Sequence, residues 1–291
     1  MRLCIAVILS IVLFSCSSPR YVNSPAAYNA TFFKERGDFK VAASGSINPG
    51  RIVQDIDGAD SDGERNYSTG LDGQVAYALT NNFMVTVGGL YRNETDRFDE
   101  DELSSGSTGS KVKYKRYMVD AGVGFYLPMG RSKRHYFNII AGAGFGNSRH
   151  TDYGMPDSVP TRMTRNYKAN VAKFYLQPAF NFSFSEQFRM SLSPKISGLT
   201  FSNIKTDYSS VEESTLNLDG VRGRTMMVFE PSIFFQVGFK NADWIKLDIG
   251  MNFSTPPFYL NVSDDGGPEL YSRGFLLSLG TSFYPFAGRN K

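Results

Sequence analysis

The chain has 291 residues, 41% of them apolar, and a formal net charge of +3. So small a charge offers no electrostatic footprint for nucleic acid, and no nucleic-acid role is expected. With 24 Phe, 16 Tyr and 28 Gly, the composition suits strand-rich walls.

At the N-terminus, Arg2 precedes an apolar run from Leu3 to Phe14 broken by Ser10. That is far short of the roughly 20 residues a spanning helix needs, so 1–15 are predicted to be an export signal. Its end, Leu13-Phe14-Ser15-Cys16, resembles the lipobox of bacterial lipoproteins, which implies that Cys16 is acylated and becomes the mature N-terminus. Cys4 would leave with the signal, so no thiol remains for a disulfide, a metal site or a nucleophile. No metal and no cofactor are expected. Ser17, Ser18, Pro19 and Arg20 carry no acidic run of the kind that resembles a surface-export signal, so retention on the periplasmic leaflet is expected. Residues 16–36, with Pro19, Pro25, Tyr21, Tyr28, Phe32 and Phe33, have no sustained period and read as a lipidated tether or a plug-like segment.

From 37 to 291 the chain reads as one β domain. Ten stretches of two-residue periodicity are separated by long polar segments near 50–69, 98–110, 148–168, 203–224 and 255–273 and by short turns near 80–82, 128–134, 184–187 and 240–243. In an antiparallel meander every second connection lies at the same end, so all the long loops fall on one side. That is the layout of a closed, up-and-down transmembrane β-barrel with short periplasmic turns. Faces can be assigned: Tyr117, Val119, Ala121, Val123, Phe125 and Leu127 alternate with Met118, Asp120, Gly122, Gly124 and Tyr126. Phe83 and Tyr91, Tyr117 and Phe125, Phe137 and Phe145, Phe174 and Phe182, and Phe275 and Phe283 each stand eight residues apart on the apolar face. Eight residues cover about 26 Å of strand, or about 20 Å of membrane normal at a tilt near 40°, close to the apolar band between aromatic girdles. Pro178, Pro194 and Pro231 fall inside strands, where bulges or an interfacial position are expected.

Phe33-Lys-Glu-Arg-Gly-Asp-Phe39 before a strand, Gly70 to Thr80 ending in a tight turn, Tyr175-Leu-Gln-Pro-Ala-Phe180 and Glu230-Pro-Ser-Ile233 together resemble small outer-membrane barrel lipoproteins of Bacteroidota. The resemblance covers nearly the whole mature chain and implies a fold and a location, without site residues to carry over.

Inward positions carry Lys40, Asp72, Asp120, Lys173, Arg189, Lys195, Glu230, Lys246 and Asp248. Buried charges persist only when paired, so an internal network filling a narrow barrel is expected, with Lys195 and Glu230 paired across neighbouring strands. A charge-lined channel for small solutes or lipids is the alternative. A barrel hydrolase is a second one, built on His150 with Asp152 or a nearby Ser, though these are common residue types in a polar segment. Acidic loops at Asp55, Asp57, Asp60, Asp62 and Glu64 and at Asp99 to Glu102 miss the EF-hand spacing and read as solvated, or as weak cation bridges to lipopolysaccharide phosphates. Asp157-Ser158-Val159 resembles a short O-glycosylation signal of Bacteroidota. The expected role is structural or surface-interacting through the long loops, with outer-membrane lipids and lipopolysaccharide as partners and no protein partner named.

Overall fold

The structure, a computed structural model, describes residues 20–48, 67–98, 110–129, 134–153, 164–216, 218–259 and 271–285. The export signal, Cys16, the acidic loop segments at 55–64 and 99–102 and the Asp157-Ser158-Val159 motif lie outside the described residues.

Ten long strands form the wall: β2 (Phe39–Ile47), β3 (Tyr67–Ala78), β4 (Phe83–Phe98), β5 (Ser110–Met129), β6 (His135–Asp152), β7 (Arg165–Ser183), β8 (Phe188–Thr206), β9 (Thr225–Phe239), β10 (Ala242–Phe253) and β13 (Phe275–Phe283). Each pairs antiparallel with its sequence neighbour, and β13 closes the sheet by pairing with both β10 and β2. Closure removes both sheet edges, which a wall in lipid requires because hydrocarbon offers no partner for a free N–H or C=O. Short strands β1 (Tyr21–Asn23), β11 (Phe258–Tyr259) and β12 (Tyr271–Ser272) lie outside this wall sequence; β1 pairs with β12, and β11 extends the loop end of β9.

Side chains alternate as the two-residue period predicts. Outward residues such as Phe145 (71% exposed), Leu71 (66%) and Val123 (64%) form an apolar belt, while Tyr126, Met84, Ala76 and Asn138 on the inner face are buried. A belt of this size around a closed barrel is stable only against lipid. Glycines on the inner face make room for large neighbours: a Cβ on Gly142 would stand 2.5 Å from the phenolic oxygen of Tyr175.

The three strand prolines make no bulge. Pro194 is the Cα partner of Pro231 in an unshifted β8–β9 register, and Pro178 faces Pro194 where the β7–β8 ladder lapses between Leu176–Ile196 and Phe180–Leu192. Placing two residues that lack N–H opposite one another confines the loss to one site in the ladder. Ser193 Oγ then donates to the Pro178 carbonyl at 2.9 Å.

The strands also run further than the polarity of their ends suggests. The third long segment, read as 148–168, is strand to Asp152 and again from Arg165, so His150 belongs to the wall and not to a loop root.

The larger departure concerns the N-terminal segment, which lies inside the barrel. Arg20 sits at the long-loop mouth against Asp152, the last residue of β6, and against Tyr208 beyond β8. Phe33 sits at the opposite end with Ala76, Ala78, Met84 and Tyr126. Between them the chain descends the lumen, then reverses through Gly37, whose φ of 89° suits glycine, into β2. At Arg20 the chain is therefore at the loop end, and of the two readings of this segment, tether or plug, its described part is a plug. Over the same mouth, the segment after β8 folds inward, burying Leu218 and Val221 against Val22, Tyr167, Leu199 and Met226.

Val87, midway between Phe83 and Tyr91, faces outward and is exposed. Val87→Arg is expected to cost about 2–4 kcal/mol in denaturant unfolding from lipid vesicles, and Thr95→Arg, above the girdle, about 0–1 kcal/mol. Equal, near-zero effects at the two positions would contradict the belt.

Candidate functional site

The lumen is the place where polar chemistry concentrates, and it is organised around the N-terminal segment. At the loop mouth, Arg20 pairs with Asp152 at 2.5 Å, and the Tyr208 hydroxyl donates to the same carboxylate at 3.1 Å. Burial, with Asp152 adding to it, pushes the Tyr208 phenol above its ordinary value, so it remains a donor. Arg273 pairs with Asp96 at 2.6 Å and lies 3.4 Å from Glu94, its guanidinium 4.1 Å from the Tyr21 ring centroid. Arg116 pairs with Glu94 and donates to the Tyr21 carbonyl. Below them Arg92 makes a two-pronged contact with Asp72 at 2.8 and 2.9 Å and reaches the Pro25 carbonyl at 2.9 Å.

Midway down, Glu230 gathers Lys173 at 2.7 Å, Lys195 at 3.5 Å and the Ser197 hydroxyl at 2.6 Å. Lys195 and Glu230 are direct Cα partners across β8 and β9. Asp120 does not join this group by an ion pair; it accepts from the Tyr175 hydroxyl at 3.0 Å. Nearer the turns, Asp248 accepts from Gln236 at 2.9 Å and from Ser282. Arg189 contacts Gln236 at 3.4 Å and lies over Phe32, while Lys246 approaches the Glu186 carbonyl at 3.5 Å. Lys246 and Asp248, both on the inner face, are thus held by different partners.

Several of the segment's own backbone groups are matched by wall side chains. Asp72 accepts from Ala27 N–H at 3.0 Å and Asn252 from Tyr28 N–H at 2.8 Å; Lys40 donates to the Ala30 carbonyl at 2.6 Å and Asn138 to that of Thr31 at 2.9 Å. A cavity of about 50 Å³ beside it, bordered by Asp120, Lys173, Tyr175, Lys195 and Glu230, has room for a few waters and not for a solute.

Parity within the belt region finds the inward charges there but not Arg92, Glu94, Asp96, Arg116 and Arg273, nor Arg20, which pairs with Asp152. On β4 the inward parity runs on unbroken through Met84, Thr86, Arg92, Glu94 and Asp96. Above Tyr91 the outward positions turn polar too, so the contrast between faces disappears while parity persists. Extending the parity would have found them.

The hydrolase constellation does not assemble. His150 is buried between tyrosines, stacked on Tyr167 at 4.7 Å and near Tyr114 and Tyr208, while Asp152 is engaged by Arg20 and Tyr208. Among the described residues no hydrogen bond joins His150 to Asp152 or to a Ser, and no group of His, Cys, Asp and Glu is placed to hold a metal.

A closed antiparallel wall, an exposed apolar belt and long loops confined to one end decide the class. The protein is an outer-membrane β-barrel. No protein-family model matches the chain, and no curated protein matches it. Among solved structures it is similar to the translocator domain of the autotransporter NalP from Neisseria meningitidis, over 97% of this chain and 93% of that one, at 10% identity and TM-score 0.45. The outer membrane protease OmpT from Escherichia coli is similar over 85% of this chain and 94% of its own, at 10% identity and TM-score 0.40. OprG from Pseudomonas aeruginosa is similar over 86% and 96%, at 12% identity and TM-score 0.32. At such identities the likeness is one of fold alone.

Glu230→Ala would leave Lys173 and Lys195 facing each other without their shared carboxylate. A loss of about 3–5 kcal/mol in denaturant unfolding is expected; a loss under about 1 kcal/mol, the range of exposed pairs, would show that water reaches this group.

Proposed function

We propose that this protein is a lipid-anchored, plugged barrel, resembling the small outer-membrane barrel lipoproteins of Bacteroidota in fold and location, with a structural or surface-interaction role exercised through its long loops. The observation that carries this reading is the course of the N-terminal segment, which occupies the lumen from mouth to turn and has six of its backbone groups bonded to wall side chains. A barrel so filled does not serve as a pore, and its contacts with the surroundings are left to the loops.

The same course supports an anchor on the loop side. Arg20 contacts Asp152, whose Cα partner Val112 lies five residues above Tyr117 of the outer girdle. Cys16 stands four positions before Arg20, a reach of about 14 Å at most. The inner leaflet is more than about 25 Å away and the lumen between is occupied. Acyl chains on Cys16 would therefore enter the membrane from the loop side, and the lipoprotein would be anchored in the outer leaflet.

Two measurements test these statements separately. In a planar bilayer the full-length protein is expected to be silent, while deletion of residues 20–33 is expected to produce a steady conductance; steady conductance of the full-length protein would refute the plug. For the anchor, radiolabelled palmitate is expected on the wild type and not on Cys16→Ser. Ser18→Cys is expected to react with a membrane-impermeant maleimide on intact cells. Labelling that requires prior permeabilisation of the outer membrane would place the N-terminus on the periplasmic side instead.

A further inference from the structure

Outside the lumen, the wall bears a second set of charges that the plugged-barrel reading does not use. Lys115 on β5, Arg149 on β6, Lys168 on β7 and Lys205 on β8 are successive Cα partners, Lys115 to Arg149, Arg149 to Lys168 and Lys168 to Lys205. All four are exposed and point outward. Among the described residues none of them forms an ion pair. Arg149 approaches the side-chain oxygen of Asn166 at 3.5 Å, and Asp207, a carboxylate near this wall, is turned to the backbone and side-chain amides of Asn166 at 3.1 and 2.9 Å. Lys113, two residues above Lys115, lies over the Tyr153 ring.

Like charges directly opposite one another on antiparallel strands are destabilising, and here three such pairs follow in a row. An anion across the row would relieve that repulsion. Height identifies the anion. Lys115 lies two residues above Tyr117, Arg149 four above Phe145 and Lys168 six above Phe174, each of these an exposed aromatic of its own strand. At about 3.3 Å per residue and a tilt near 40°, the row climbs from about 5 to about 15 Å above the girdle. The headgroup layer of a phospholipid adds only about 5–8 Å beyond the hydrocarbon. An anion that meets the whole row must extend well beyond that layer, while its acyl chains lie on the exposed Val119, Phe145, Phe174 and Leu176 beneath.

We propose that this wall, formed by Lys115, Arg149, Lys168 and Lys205, is a binding site for a phosphate-bearing glycolipid of the outer leaflet, of the lipopolysaccharide class. The lower cations take the phosphates nearest the acyl chains and the upper ones take anionic groups of the sugar core. The site is independent of the lumen and of lipid on Cys16.

The test uses full-length protein in detergent micelles and measures binding of purified rough-type lipopolysaccharide, the same material after enzymatic dephosphorylation, and phosphatidylglycerol. Wild type is expected to bind the phosphorylated glycolipid at least about tenfold more tightly than either of the others. The combined Lys115→Gln, Arg149→Gln, Lys168→Gln and Lys205→Gln variant is expected to lose that preference, with about tenfold or greater weakening. Replacing the turn-end cations Lys34, Arg36 and Lys240 by Gln is expected to change nothing, and heat-modifiable migration on gels confirms that each variant is folded. Equal binding of phosphatidylglycerol, equal binding after dephosphorylation, or undiminished binding by the folded four-site variant would each overturn the proposal.

Discussion

The structure depends on one constraint: a stretch of extended backbone, paired as a strand only at Tyr21–Asn23, runs through a barrel, and the rest of its polar groups must find partners there. Between Tyr21 and Thr31 the carbonyls of Tyr21, Pro25, Ala30 and Thr31 accept from Arg116, Arg92, Lys40 and Asn138, while the N–H groups of Ala27 and Tyr28 donate to Asp72 and Asn252. Each such group left buried and unmatched would cost about 1–3 kcal/mol. Part of the inner wall's polarity serves a peptide, and Arg92, Arg116, Lys40 and Asp72 are the long or charged groups that cross from wall to axis.

That constraint explains the arrangement of the charges. Arg92 lies between Asp72 and Pro25, so a wall-to-wall ion pair and a wall-to-plug hydrogen bond share one guanidinium. At the mouth, Arg20 belongs to the plug and Asp152 to the wall. Buried ion pairs of this kind contribute little net stability compared with apolar packing, but removing one partner is expensive. They fix the position of the segment more than they strengthen the barrel. The apolar ends do the complementary work: Phe33 packs among Ala76, Met84 and Tyr126 near the turns, and Val22 packs under Leu218 and Val221 at the mouth.

Inside and outside the wall, the same residue types meet opposite conditions. Within, cations are matched to carboxylates at fixed distances, as Lys173 is to Glu230. Without, Lys115, Arg149, Lys168 and Lys205 stand side by side and form no ion pair among the described residues. Parity along the strands separates the two populations: on β5, Tyr114 and Arg116 face in while Lys113 and Lys115 face out.

Much of the wall was legible in the chain itself. Alternation at Tyr117–Leu127 assigns faces, the eight-residue aromatic spacing sets the height of the belt, and the unequal loop lengths put all the long connections at one end, because each of these is a local property of consecutive residues. Inward placement of Lys195, Glu230, Arg189, Lys246 and Asp248 follows from the same parity. What local pattern could not decide was the course of residues 20–33, which have no period and take single partners from distant strands, Asn23 from Ser272 and Tyr28 from Asn252. Nor could it reveal that Pro178, Pro194 and Pro231 lie in one cross-strand row, or that four outward cations are neighbours. Those facts depend on register between strands, which arises only when the barrel closes. The sequence determined the wall and its sidedness; the tertiary structure alone decided what fills it and from which end.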